Sequence, residues 1–374
     1  MTNEWFYPTG FHSWGAEELA AIARVQDSGW WTMGPEVEAL ESEFAAFHWM
    51  KHGIMVNSGS SANLVAVASL FHKQENPLRR GDKAIVPALA WATTYAPLVQ
   101  HGLDLVLDDC DQTWNANGTQ YRGELFVTCP VLGNPCLGPM VFNSSAYHIQ
   151  DCCESIGAWL GPLKTKKYCG TFGLLNTFSF YQSHQLAAIE GGMILTDDDE
   201  LAGLCRMLRD HGMTRYQKPE KFEDEYDFRL MGYNLRPLEL HAAIARAQLK
   251  KLEEFSRHRQ MNWNNFSHVV NTLNYSVTMQ AKLRNGVMNP FGMAFTCEST
   301  EARARLVKAL RENSIDCRLP TGGSFRKHFY GRQWADQQTP NADEIHSRGI
   351  FLGCAPYDIS PEIERALKII KETL

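Results

Sequence analysis

The chain predicts an α/β protein with a mostly parallel central sheet between helices, followed by a smaller C-terminal α+β domain. Three observations carry this. Between Lys51 and Asp199, seven short β-rich runs alternate with helical stretches. Most of these runs are apolar on both faces, as strands buried in a parallel sheet are. Beyond Ser256–Asn265 the texture changes to long helices around a single strand-like run. The expected division is 1–255 for a large domain with its N-terminal segment and 256–374 for a small one.

Taken in order, the strands are expected at Gly53–Val56, Ala84–Pro87, Leu103–Leu107, Leu125–Cys129, His148–Asp151, Asn176–Phe180 and Met193–Thr196. Strands alternating with helices over such a length imply a sheet layered between helices. Asp197–Leu208 reads as a helix with acidic residues in its first turn. Pro237–Phe255 reads as a longer helix, with proline at its start and apolar residues at helical spacing. In the tail, a strand around Met293–Cys297 precedes a helix at Thr300–Glu312 with Ser299 as N-cap, and Pro361–Thr373 forms a last helix.

The 374 residues carry 36 Lys+Arg against 42 Asp+Glu, a net charge of −6. A nucleic-acid binder normally shows a basic excess. The longest apolar stretch, Ala84–Ala92, is far too short to span a bilayer. The opening MTNEWFYPTG has neither the basic start nor the apolar core of a signal peptide. A cytoplasmic protein with no nucleic-acid or membrane partner is expected.

Ten cysteines ask for an explanation, and no CxxC occurs. That removes the main support for zinc ribbons and thioredoxin-type pairs. A reducing compartment disfavours disulfides. Buried thiols acting as small hydrophobes are the leading reading, with a cluster bound by scattered cysteines left open.

Five segments could carry chemistry. In Val56–Leu64 a strand runs through Gly59, Ser60 and Ser61 into a helix, so amides, hydroxyls and a helix dipole converge on one point. That suits a phosphate, although a plain N-cap turn has the same sequence. Asp151 ends an apolar strand, where side chains face the crevice of a parallel sheet; it could hold a protonated ring nitrogen or cap the next helix. His184 follows Ser179-Phe180-Tyr181 in a polar loop, Trp91 follows the second strand, and Asn234 lies in a loop before the long helix. Each alone also reads as ordinary: a surface histidine, a core aromatic, a helix-start turn.

Together, in this order, the segments resemble the sugar-nucleotide aminotransferase family of fold-type-I enzymes dependent on pyridoxal 5'-phosphate (PLP). Gly34-Pro35, Gly81-Asp82, Asp108-Asp109, Gly133-Asn134-Pro135, Glu190-Gly191-Gly192 and His211-Gly212 extend the match over nearly the whole chain. The resemblance implies that Ser60, Ser61 and Ser179, with the backbone at Gly59, bind the cofactor phosphate. It implies a homodimer with shared sites, in which Asn234 reaches the partner's phosphate. Trp91 would stack on the pyridine ring and Asp151 would pair with its nitrogen. Glu154 falls where the aminotransferases usually carry Gln or His near the ring hydroxyl.

One departure decides the branch. The aminotransferases place a Schiff-base lysine five residues after the motif serine; here that position is His184, and Lys164, Lys166 and Lys167 do not fit the pattern. Imidazole cannot tether PLP, but its ordinary pKa of about 6.5 suits proton transfer near neutrality. The substitution marks the family's C3-dehydratase branch. It implies a nucleotide-linked, GDP-sugar-like 4-keto-6-deoxyhexose as substrate, a pyridoxamine 5'-phosphate (PMP) form of the cofactor, and glutamate as amino donor. Arg318 is a candidate for holding a phosphate or carboxylate. A related dehydratase with an iron–sulfur cluster has two cysteines separated by one residue after its histidine. Here the cysteines beyond His184 are far apart, so no metal is expected. An aminotransferase using another lysine, and a relative that binds without turnover, are the competing readings.

Overall fold

The computed structural model describes residues 5–119, 122–136, 146–214, 221–273 and 275–374; residues 1–4, the start of the segment read against a leader, lie outside them. Helices α1 (Ala16–Ser28) and α2 (Pro35–Phe47) lead into β1 (His52–Val56) and α3 (Gly59–Leu70). Next come β2 (Lys83–Pro87), α4 (Ala92–Gln100), β3 (Asp104–Asp108), β4 (Leu125–Thr128) and β5 (Tyr147–Asp151). Two short strands, β6 (Trp159–Leu160) and β7 (Lys167–Tyr168), precede β8 (Leu175–Ser179), β9 (Gly192–Thr196), α5 (Asp199–Arg209) and α6 (Glu239–Thr272).

The seven expected strands form one sheet in the order β1-β9-β8-β5-β4-β2-β3. Strands β3, β2, β4, β5 and β8 pair in parallel, and β9 runs against both its neighbours. All residues of β8 and β9 are buried, which is why their sequences do not alternate. Helix α3 is capped by the Ser58 side chain, which accepts from the Ser61 amide. It is apolar nearly all round because it packs on the sheet and against α4 and α5.

The remainder comprises β10 (Val277–Met279), β11 (Gly286–Val287), β12 (Gly292–Cys297), α7 (Thr300–Glu312), β13 (Cys317–Arg318), α8 (Pro340–Arg348), β14 (Gly349–Gly353) and α9 (Ser360–Thr373). A second sheet, β10-β12-β14-β13, packs its own core around Phe266, Phe295, Leu306 and Ile363. Ser299 caps α7 as expected. The helix expected at Pro237–Phe255 begins later and ends later. Its start is delayed because Leu238 is extended and bridges Thr32, while the Glu239 amide bonds to the Trp31 carbonyl. It then crosses Ser256 unbroken and runs to Thr272, about 50 Å in all.

Near the N-terminus, Tyr7 bridges Ile315 in parallel, and the Asp316 amide donates to the Tyr7 carbonyl. The buried Tyr7 hydroxyl donates to the carbonyl of Gly353 at 2.7 Å. The segment around Tyr7 is thereby bridged to the second sheet and forms part of a cleft between the two sheets. Among the described residues no helix is long and apolar enough to cross a membrane.

Candidate active site

The cleft has a volume of about 820 Å³ and opens at the carboxyl ends of the parallel strands, where α/β sheets bind their ligands. At its base, β1 turns into α3. A Cβ on Gly59 would lie 2.6 Å from the Cβ of Ser179 and 2.9 Å from the Sγ of Cys153. Only glycine lets the helix start lie this close to the end of β8. Gly192 is equally confined, since a Cβ there would meet the Ser58 carbonyl oxygen at 2.2 Å. The Ser58 side chain takes the Ser61 amide and its carbonyl takes the Ala62 amide. The amides of Gly59 and Ser60 have no partner among the described residues, so they present donors at the positive end of a 12-residue helix.

Gly59, Ser60 and Ser179 line the cleft around this helix start. The Ser60 hydroxyl donates to Thr93 Oγ1 at 2.8 Å. Ser61 is absent from the lining; its hydroxyl accepts from Ser58 at 3.0 Å. Trp91 also lines the cleft, at the start of α4; it is 58% exposed, with its ring edge near Gly322.

Asp151 ends β5 and is 4% exposed. Its Oδ2 accepts from Asn63 Nδ2 at 2.8 Å and from Thr94 Oγ1 at 2.7 Å. Its Oδ1 accepts from the Cys153 amide at 3.2 Å. Asn63 is itself fixed by Thr177, whose hydroxyl donates to Asn63 Oδ1 at 2.6 Å. The carboxylate is thus locked in place on the floor of the cleft. Asn63, Thr94 and Thr177 were not singled out from the sequence; the first two stand inside the SSANL and WATT segments, but nothing there signals their partner.

His184 lies in the loop after β8. Its Nδ1 is 2.6 Å from the Cys153 carbonyl oxygen. A carbonyl only accepts, so Nδ1 carries the hydrogen and Nε2 keeps the lone pair. Phe291 meets the imidazole edge-on, with centroids 5.1 Å apart. Burial pushes the imidazole down to about 4; the bond to Cys153 opposes this, and the Arg259 charge adds to it. The ordinary value expected from the sequence therefore does not hold inside the fold, and His184 is neutral at pH 7, with its Nε2 lone pair free to accept.

Glu154 lines the same wall and accepts the Leu132 amide at 2.9 Å. Burial pushes its carboxyl up to about 7. Arg318 reaches the rim and pairs with the buried Asp316 at 3.1 Å, which also accepts from Thr9. Asn234 is exposed and lies outside the cleft of its own chain.

Among the described residues, none that lines the cleft is a lysine. Lys166 and Lys167 instead lie over the rings of Tyr168 and Phe172. All ten cysteines are free thiols; nine are buried and Cys153 is half-buried at the cleft. Among the described residues no group of three or more His, Cys, Asp or Glu side chains could hold a metal ion.

A donor-rich helix start, a fixed buried carboxylate and a flat indole fit the phosphate, ring nitrogen and ring face of PLP. Sheet and site define a PLP-dependent enzyme of fold type I. The chain belongs to the DegT/DnrJ/EryC1/StrS aminotransferase family, which matches residues 12–122 and 139–370. It is 35% identical to a GDP-4-keto-6-deoxy-D-mannose 3-dehydratase from Yersinia pseudotuberculosis, over 98% of both chains. It is 31% identical to a dTDP-4-dehydro-2,6-dideoxy-D-glucose 3-dehydratase from Saccharopolyspora spinosa, over 91% of this chain and 80% of that one. Among solved structures, the E. coli GDP-4-keto-6-deoxy-D-mannose-3-dehydratase with bound hydrated PLP superposes with a TM-score of 0.91 at 34% identity. That match covers 98% of this chain and all of the other.

Proposed function

We propose that the chain is a PLP-dependent 3-dehydratase of a nucleotide-linked 4-keto-6-deoxyhexose, GDP-linked as in the Yersinia relative, with glutamate as amino donor. The observation that carries this reading is His184 in the lysine position of a cleft whose lining, among the described residues, holds no lysine. The cofactor, as PLP or PMP, supplies an electron sink conjugated to the sugar's C4 carbon.

The side chains supply the rest. His184 Nε2 takes a proton and returns it, with the Cys153 carbonyl holding the ring in one tautomer. Asp151 supplies a negative charge fixed by three donors beside the ring nitrogen. The amides of Gly59 and Ser60, with the hydroxyls of Ser60 and Ser179, hold the phosphate, and Trp91 covers a ring face; Ser61, outside the lining, supports the turn through Ser58. Asn234 is exposed, which supports a homodimer in which the partner subunit's Asn234 completes the phosphate site. Arg318 offers a cation to the substrate's phosphates. In this reading residues 1–255 hold the cofactor and 256–374 cover the cleft, within a cytoplasmic enzyme.

The product is a 3,6-dideoxy-4-keto sugar, a precursor of deoxysugars such as the colitose of lipopolysaccharide O-antigens. The overall change is balanced: substrate and glutamate give product, 2-oxoglutarate and ammonia. The test is incubation with PLP, glutamate and a panel of GDP-, dTDP- and CDP-linked 4-keto-6-deoxyhexoses. Loss of one oxygen from the sugar with release of ammonia is expected. An amino sugar that keeps its C3 hydroxyl would instead identify an aminotransferase, and absence of any conversion would identify a binding protein.

A further inference from the structure

Residues Asn289–Phe291, between β11 and β12, keep little backbone freedom. The Asn289 amide donates to the Gly133 carbonyl and the Phe291 amide to the Leu132 carbonyl, both at 3.1 Å. The Asn289 carbonyl accepts from Gln185 Nε2 at 3.1 Å, and the Pro290 carbonyl accepts from Arg259 Nη1 at 3.4 Å. Asn289 Nδ2 donates to the Ile156 carbonyl at 2.6 Å. Proline has no amide hydrogen to place. The three residues are thus tied to four separate parts of the chain: the segment after β4, the turn after β5, the loop after β8, and α6.

Two of these ties are costly. Leu132 and Gly133 hold left-handed φ values of 52° and 83°, a conformation that leucine adopts only against steric strain. At Gly133 a Cβ would lie 1.9 Å from the Asn289 carbonyl oxygen, so only glycine can receive the segment. Arg259 is 4% exposed, its Nε has no partner, and no carboxylate pairs with it among the described residues. Burying a guanidinium against carbonyls alone is expensive. Local strain of this kind collects at functional sites.

What the segment presents is the ring of Phe291. It lines the cleft, is 9% exposed and meets the His184 imidazole at an interplanar angle of 88°, an arrangement that aromatic pairs favour. Tyr181 also meets the imidazole near the perpendicular, but at 5.9 Å and from an exposed position. Gln185, which bonds Asn289, is the residue next to His184, so loop and ring are registered on the same three residues. The Cys153 carbonyl holds the imidazole at Nδ1, and one hydrogen bond leaves a ring able to tilt about its axis. We infer that Phe291 is a positioning residue that stops this tilt, keeping Nδ1 on the Cys153 carbonyl and Nε2 turned to the cleft. The inference rests on His184 as the proton carrier proposed above.

The experiment is nitrogen NMR of the PLP-loaded protein with isotopically labelled histidine, the His184 signals being those missing from His184→Asn. At pH 7 the parent should show one hydrogen-bearing and one bare ring nitrogen, the signature of a fixed Nδ1–H tautomer. Phe291→Tyr keeps the ring and should keep that pattern. Phe291→Leu keeps apolar bulk without a flat ring, and both nitrogen signals should move toward the average of two exchanging tautomers. In the product-mass assay its rate should fall on the order of 10²-fold, the cost of a misplaced group, with KM near the parental value. A Phe291→Leu protein that keeps the parental signals overturns the proposal. So does averaging already present in the parent or in Phe291→Tyr. The nitrogen signals do not depend on turnover, so a parent that fails to dehydrate any sugar refutes the dehydratase reading alone.

Discussion

His184 donates its Nδ1 hydrogen to the carbonyl oxygen of Cys153 across 2.6 Å, tying the loop after β8 to the turn after β5. Asp151 and the imidazole are therefore positioned by one short stretch of backbone. Replacing His184 with Asn removes the base and leaves the Asp151 network intact. Dehydration is expected to fall by about 10²–10⁴-fold, the usual contribution of a positioned acid–base group. Bound-PLP absorbance should persist. A variant turning over at the parental rate would exclude His184 as the base.

The same imidazole links stability to acidity. Its folded pKa of about 4 lies below the ordinary 6.5, so the unfolded chain binds more protons between these values. The contribution to stability is complete above pH 6.5 and is lost as pH falls through about 4, on the order of 3 kcal/mol in total. Burial pushes His48 and His148 down to about 4 as well. Urea unfolding from pH 7 to pH 4 should therefore show a steep loss for the parent and a shallower one for His184→Asn. Equal slopes would contradict the depressed value.

Asn63 bridges Asp151 and Thr177. Asn63→Leu leaves a buried Thr177 hydroxyl and one Asp151 contact unmet, which costs about 1–3 kcal/mol for the unsatisfied group. Weaker PLP affinity is expected, because the carboxylate loses one of its three donors. Equilibrium titration of cofactor fluorescence measures it, and affinity equal to the parent's would show that Thr94 and the Cys153 amide hold Asp151 unaided.

Gly59→Ala tests the closeness of α3 to β8. The new methyl would enter within 2.6 Å of Ser179 Cβ, and overpacking of this kind costs about 1–3 kcal/mol. Alanine's better helix propensity offsets up to about 1 kcal/mol of that. PLP affinity should consequently fall by more than the melting temperature suggests. Unchanged affinity would mean the helix start is free to shift.

All seven strands of the large sheet were legible because short runs buried on both faces leave few alternatives. The far end of α6 was not. Beyond Phe255 the helix buries Arg259 and Asn262, polar residues that read as solvent-facing in a sequence. Arg259 Nη1 and Asn262 Nδ2 bond here to the carbonyls of Cys354, Ala355 and Tyr357. The site divides similarly. Asp151, Trp91 and His184 stand at strand ends, where position alone hints at a crevice. The bonds that fix Asp151 come from Asn63 and Thr94, 88 and 57 residues away, and only the assembled sheet brings them there. The proton affinities of His184 and Glu154 were equally hidden, since both depend on what encloses them.

Tyr7 is anchored by Ser314, Ile315 and Gly353, and the neighbouring Pro8, Thr9 and Gly10 form one side of the cleft. A nascent chain cannot seat this opening segment until Gly353 has left the ribosome. The large sheet and Asp151 precede Gly353 in the chain, so this side of the cleft is the last to be anchored. A fragment ending before Gly353 would carry the floor of the cleft without the anchor for the side that Pro8, Thr9 and Gly10 form.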